Sequence, residues 1–186
     1  MTRHDNLLRR SDAALLIVDV QEKLAETIGE CDQLVGTICD LIVVARRLNL
    51  PILLTEQYPK GLGRTVPELV DALGEVYRPL EKITFSCCGD ERVREAIRSI
   101  EKRQVVVAGI EAHICVLQTT LDLLADGYHV HVPADAVASR YRTNREVSLA
   151  RMQMAGATVT CKESIIFELL GQAGTPEFKE ILPLLK

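Results

Sequence analysis

The sequence has no tryptophan, and aromatic residues of all kinds make up only 4% of it. No stripe of lysine and arginine with interleaved aromatics occurs, and the net charge is −4, from 22 basic and 26 acidic residues. Nucleic-acid binding therefore has no electrostatic footprint here. A nuclease reading also lacks an acidic metal cluster. No run of 18 or more uncharged apolar residues appears, so no helical membrane span is expected. The amino-terminal MTRHDNLLRRSDA carries charges but no apolar core, which argues against a secretion signal. There is no C-x-x-C, and no cysteine pair stands at zinc-finger spacing from histidines. Internal repeats, low-complexity tracts and linkers are absent too.

What is present is an ordinary globular composition: 186 residues, 47% hydrophobic and 26% charged. That length buries a sizeable core and is read as one domain, residues 1–186. Its six cysteines (Cys31, Cys39, Cys87, Cys88, Cys115 and Cys161) sit in a chain too long and too rich in core for a disulfide scaffold. They are read as free thiols in a reducing, cytoplasmic compartment. Cys87 and Cys88 are adjacent, and a bond between neighbours would be strained.

Short β-branched segments alternate with helical periods. AALLIVDV (13–20), PILLTEQ (51–57), QVVVAGI (104–110), HVHVPADA (129–136) and ATVTCKE (157–163) read as strands. From Cys31, the residues Leu34, Val35, Ile38, Leu41, Ile42, Ala45 and Leu48 recur three and four apart, as on one helix face. Asp90 offers an N-cap to DERVREAIRSI, and Gly127 ends VLQTTLDLLADG. TNREVSLARMQMAG opens on a capping box, Thr143 to Glu146, and stops at Gly156. Strands alternating with helices predict an α/β fold: three layers, a doubly wound, mostly parallel sheet flanked by helices. The one long irregular connection, residues 58–82, holds a short predicted helix at 67–73 and shapes a binding site.

In open α/β sheets, ligands bind outside the carboxyl ends of the strands. Three reactive groups fall at that edge. Asp19 ends LLIVDVQ, Lys82 stands in PLEKITFS, and Cys115 begins the helix after VVVAGI. The helix dipole and a nearby ammonium would favour a thiolate at Cys115. An aspartate could take and return its proton, and backbone N–H groups at the turn could receive an oxyanion. Taken singly, each residue has a blander reading: a buried small thiol, a turn aspartate, a solvated lysine. His113 is two residues from Cys115 and does not face it along a helix, so it is read as a pocket or surface residue.

Together the segments resemble the isochorismatase-like cysteine hydrolases. LLIVDVQ resembles that family's first-strand motif, PLEKITFS its lysine segment, and VVVAGIEAHICVLQTTLDLLADGYHVHVPADAVASR its cysteine segment. The likeness runs in order over about residues 11 to 170, and TEQYPKGLGRTVPEL resembles the branch of isochorismatase-domain-containing proteins. The resemblance implies a catalytic triad of Asp19, Lys82 and Cys115. It also implies a cis peptide at Ile110–Glu111, with the N–H groups of Glu111 and Cys115 as oxyanion donors. Assembly into homo-oligomers, dimer or tetramer, is implied as well. The activity it implies is hydrolysis of a small amide-type substrate through a thioester. The family's nicotinamidases carry an Asp-x-His…His metal site near the second strand. No histidine stands in the equivalent stretch, so neither metal nor cofactor is expected, and nicotinamide becomes a weaker substrate candidate. Retention of Cys115 points away from vinyl-ether cleavage of isochorismate.

Beyond the triad, Gln21, Gln57, Tyr58 and His113 are candidate pocket residues. Glu56, Ser86, Cys87 and Cys88 are candidates for its wall. Phe85 is read as core, and Arg140 as a residue that holds a turn. The expected partner is a small-molecule substrate, with no nucleic acid and no membrane. Competing readings are a catalytically vestigial scaffold on the same fold, a thiol-based redox sensor, and a nicotinamidase or isochorismatase proper.

Overall fold

A computed structural model describes residues 3–4 and 6–185. Part of the amino-terminal stretch read for a targeting signal lies outside the described residues. The elements run β1 (Ala13–Val18), α1 (Glu22–Ala25), α2 (Cys31–Arg47), β2 (Ile52–Gln57), α3 (Pro59–Leu62), α4 (Pro67–Leu73) and β3 (Pro79–Lys82). Then come α5 (Glu91–Ser99), β4 (Gln104–Ile110), α6 (Leu117–Ala125), β5 (His129–Pro133), β6 (Val137–Ala138), α7 (Arg142–Met154), β7 (Thr158–Thr160), α8 (Lys162–Leu170) and α9 (Pro176–Ile181). The sheet is parallel throughout, in the order β3-β2-β1-β4-β5-β7, and β6 continues along the edge of β4 beyond β5.

Strand alternation sorts the core into two layers. In β1, Ala13, Leu15 and Ile17 face one way and pack with Ile38, Ile42, Leu69 and Ile165 from α2, α4 and α8. Leu16 and Val18 face the other way, against Val93, Ile97, Leu123 and Met152 from α5, α6 and α7. β1 and β4 are buried along their whole lengths, as strands covered on both faces must be.

Three local expectations need correction. The capping box does not form: α7 begins at Arg142 after Tyr141, with no side-chain cap. Thr143 lies inside the helix rather than at its cap, and Glu146 pairs instead with Arg142, one turn earlier, at 2.7 Å. The segment containing Lys82 is a strand, β3, paired in register with the end of β2. Its Pro79 stands first in an edge strand, a position that needs no ladder donor. Phe85 is not core but 56% exposed, because the loop after β3 turns its carbonyls, not its side chains, inward.

Candidate active site

The carboxyl edge brings the three reactive groups together. Asp19 directly follows β1, and its φ of 53° is left-handed, a conformation aspartate tolerates better than most side chains. Its N–H donates to the Thr55 carbonyl at 3.2 Å, which ties the turn to β2. Lys82, at the end of β3, sends its ammonium inward and is fully buried. Nζ lies 2.6 Å from Asp19 Oδ2, 2.8 Å from Gln57 Oε1, and 3.1 and 3.2 Å from the carbonyls of Thr84 and Phe85. Burial is the largest influence and works against the ammonium, but its partners, Asp19 foremost, together outweigh it and hold the lysine above its ordinary range. The pair is therefore an ion pair, Lys82 protonated and Asp19 an acceptor.

Cys115 is carried by a π-type turn, Ala112–Val116, between β4 and α6. The Glu111 carbonyl accepts from the N–H groups of Ile114 and Val116, at 3.0 and 3.3 Å. Such wide turns recur at functional positions. The peptide bond between Ile110 and Glu111 is cis. The thiol is 5% exposed and interacts with both Asp19 and Lys82. Burial first, and the Asp19 carboxylate second, push its pKa up, with Lys82 pulling the other way. This corrects the expectation of a resting thiolate. The helix dipole is weaker than desolvation beside an anion, so Cys115 rests as a thiol with its proton next to a carboxylate.

The neighbouring residues divide sharply. Thr55, buried in β2, donates from Oγ1 to Asp19 Oδ1 at 2.7 Å and lies 3.7 Å from Cys87 Sγ. Gln57 accepts from Lys82 and donates from Nε2 to the Ile83 carbonyl at 2.7 Å, so it braces the lysine. Gln21 donates to the carbonyls of Gln57 and Gly63 and accepts from the Gln57 N–H, so its amide fastens β2 to the long connection rather than facing a substrate. Glu56 is likewise a brace, accepting from Thr65, Tyr77 and Arg64. Burial opposes ionisation of Glu56, yet these donors together hold its carboxyl below the usual range. Cys87 is fully buried and its thiol is pushed up to about 11, by burial foremost and by Asp19. Ser86 donates to Asp122 of α6 at 2.6 Å, which anchors the wall beside Lys82.

At the rim, Tyr58 is 51% exposed and left-handed, and its N–H donates to the Lys82 carbonyl at 2.9 Å. His113 Nδ1 lies 2.9 Å from Ser139 Oγ and 4.0 Å from Glu111 Oε2. Arg140 fastens the Cys115 turn from its other side, with its N–H and Nε 2.9 and 3.2 Å from Glu111 Oε2. A cleft of about 410 Å³, lined by residues from the stretches 28–34 and 134–145, includes Ser139 and Arg140, the residues that contact His113 and Glu111 of this turn. Reading the sequence missed Thr55. The available signal was a hydroxyl at an inward position of the otherwise apolar start of ILLTEQ.

The family described as the isochorismatase domain matches residues 13–164. Isochorismatase domain-containing protein 2 of Pongo abelii is 45% identical over 172 residues, 92% of this chain and 82% of that protein. A solved structure of MAR1 ribonuclease from Caenorhabditis elegans is 41% identical, with a TM-score of 0.90 over 96% of this chain and 92% of that one. YcaC from Pseudomonas aeruginosa, solved with hexane-2,5-diol and covalent acrylamide, is 28% identical, with a TM-score of 0.90 over 98% and 93%. The Escherichia coli YcaC gene product, described as an octameric hydrolase of unknown specificity, is 26% identical, with a TM-score of 0.87 over 99% and 89%.

Proposed function

The chain belongs to the isochorismatase family, and from that membership we propose that it is a cysteine hydrolase of small amide-type substrates, using Cys115, Asp19 and Lys82. The observation that carries this reading is the buried 2.6 Å contact between Lys82 Nζ and Asp19 Oδ2, with the Cys115 thiol within reach of both charges. As Cys115 sulfur attacks the carbonyl carbon, Asp19 takes the thiol proton. The N–H groups of Glu111 and Cys115 receive the oxyanion. Lys82 remains an ammonium and keeps Asp19 in place. Collapse expels the amine, which leaves with the proton from Asp19. Water then gives a proton to Asp19 and attacks the thioester, and the acid departs as Cys115 regains its proton.

No step is assigned to a metal or cofactor, since Tyr58, Pro59 and Lys60 follow β2 and no histidine stands between there and Leu69. The domain of action is the whole chain, in a cytoplasmic setting that suits six unpaired thiols. Assembly into a homo-oligomer is part of the proposal, supported by the octameric relative, and light scattering on the purified protein would measure it.

A ribonuclease reading draws on the name of the C. elegans relative. Against it stand the net charge of −4 and a thiol only 5% exposed, which a folded phosphodiester chain cannot readily reach. The deciding assay screens primary amides and a mixed-sequence RNA side by side, with Cys115→Ala and Asp19→Asn as controls. Amide turnover that falls by about 10²- to 10⁴-fold in Asp19→Asn and is lost in Cys115→Ala supports the hydrolase. RNA cleavage that survives Cys115→Ala would remove the triad from the chemistry.

A further inference from the structure

Asp19 has two oxygens, and two different kinds of donor hold them. Lys82 reaches Oδ2, while the Thr55 hydroxyl reaches Oδ1 at 2.7 Å. The distinction matters because Asp19 must exist in two states during the proposed reaction. An ammonium can only donate, so it serves the carboxylate alone. A hydroxyl can donate to a carboxylate and accept from a carboxylic acid. Thr55 also binds Asp19 through its own carbonyl, which accepts the Asp19 N–H at 3.2 Å.

A third group, Cys87, meets the hydroxyl from another direction. Thr55 Oγ1 has one proton, and Asp19 Oδ1, an acceptor, claims it. The 3.7 Å contact to Cys87 therefore runs from the thiol to the hydroxyl oxygen. Cys87 is held for this by its own N–H, which donates to Thr119 Oγ1 at 2.9 Å. Its protonated state suits a donor, since burial keeps the thiol from ionising. When Asp19 becomes an acid, the Thr55 proton can turn toward Cys87 Sγ, a weak acceptor, and free the hydroxyl oxygen to receive the new one.

Resting on the hydrolase reading, we propose that Thr55, in contact with Cys87, is a positioning residue that keeps Asp19 aligned in both its protonation states. Neither residue touches the substrate. The role lies in how readily Asp19 removes the Cys115 proton.

Acrylamide is a suitable probe, because the related Pseudomonas protein was solved with it covalently attached. The addition balances without a further reagent. The Cys115 sulfur bonds to the terminal alkene carbon, the C=C π bond breaks, and the thiol proton ends, by way of Asp19, on the carbon beside the amide. Full-length wild type, Thr55→Ser and Thr55→Val would be treated across a range of pH, with attachment at Cys115 timed by peptide-mapped mass spectrometry. Thr55→Ala provides a second hydroxyl-free chain should the valine fold poorly. Wild type and Thr55→Ser should react at similar rates, and the hydroxyl-free chains about 10- to 100-fold more slowly. Serine keeps the hydroxyl and drops the methyl, so restoration of the rate by serine alone separates the hydroxyl's role from that of a merely structural side chain. A reactive wild type matched by Thr55→Val in rate overturns the role of Thr55 alone. Serine as slow as valine does the same. Wild-type Cys115 no more reactive than a simple free thiol overturns the hydrolase reading, and the role of Thr55 with it.

Discussion

Lys82 and Asp19 are held in a dry interior where each makes the other tolerable. Desolvating two charges costs several kcal/mol apiece, and only their mutual attraction and hydrogen bonds offset it. Lys82 has four acceptors within 3.2 Å, and Asp19 has Lys82 and Thr55. Removing one partner strands the other. Lys82→Met, close in shape, should therefore cost about 3 kcal/mol or more of unfolding free energy. Lys82→Met combined with Asp19→Asn should recover part of that loss, because the stranded charge is gone. Urea unfolding of the four chains in the cycle measures both quantities. A double variant less stable than Lys82→Met would mean that the pair is not charge-coupled. Asp19 and Cys115 drew attention as reactive residues after apolar runs, and Lys82 through the family resemblance; the fold brings the three side chains together. Thr55 was not legible in the sequence, because its importance depends on β1 lying beside β2, a neighbour relation no local pattern carries. The resting state of Cys115 was misread for a related reason. Position in a helix turn is a local property, whereas burial beside Asp19 is not.

Among the elements, the pairing of β1 with β4 does most to set the site, since one strand leads into Asp19 and the other into the Cys115 turn. Val18 and Gly109 are partners across that ladder. Gly109 has φ +126°, and a Cβ there would lie 2.1 Å from the Val18 carbonyl oxygen. The nearest atoms are all Val18 backbone, with no flexible group to yield, so Gly109→Ala must push the strands apart next to the site. The expected loss is about 3 kcal/mol or more, with Cys115 alkylation by acrylamide slowed even in the fraction that folds. Wild-type thermal stability and alkylation in Gly109→Ala would contradict so close an approach. Elements with strong periodicity were legible: α2 starts at Cys31, and the short helix predicted at 67–73 is α4. β3 was not, because Pro-Leu-Glu-Lys on a sheet edge is too short and too exposed to show alternation. The false capping box shows the converse. Thr143 and Glu146 have the right spacing, but Thr143 lies inside the helix and the glutamate pairs with an arginine one turn before it.

For the molecule as a whole, the response to acid has an identifiable internal source. His131 lies in the middle of β5, paired in register with Val106 and Thr158, and is 1% exposed. Its neighbours Val130 and Val132 face the layer of α5, α6 and α7, so alternation turns the imidazole to the opposite layer. Neither ring nitrogen meets a hydrogen-bond partner among the described residues. Burial, with His129 adding a smaller push, lowers its pKa to about 4. The sign follows from linkage. Above pH ~6.5, the ordinary histidine value, the ring is neutral in folded and unfolded chains and contributes no pH dependence. Between there and about pH 4, only the unfolded chain takes up the proton, so stability falls as the pH falls. Across that window the loss from this one residue is about 3 kcal/mol. Below it both states are protonated and the slope from His131 disappears. Glu56 behaves differently, because its carboxyl is held low in the fold and loses its stabilising effect only at more acid pH. Comparison of wild type with His131→Leu isolates the histidine, since every carboxylate is common to both chains. Unfolding free energies from urea titrations should diverge steadily as the pH drops through the window, with His131→Leu the flatter of the two. Parallel curves would mean that the imidazole reaches water in the folded protein and that β5 opens more readily than its buried position implies.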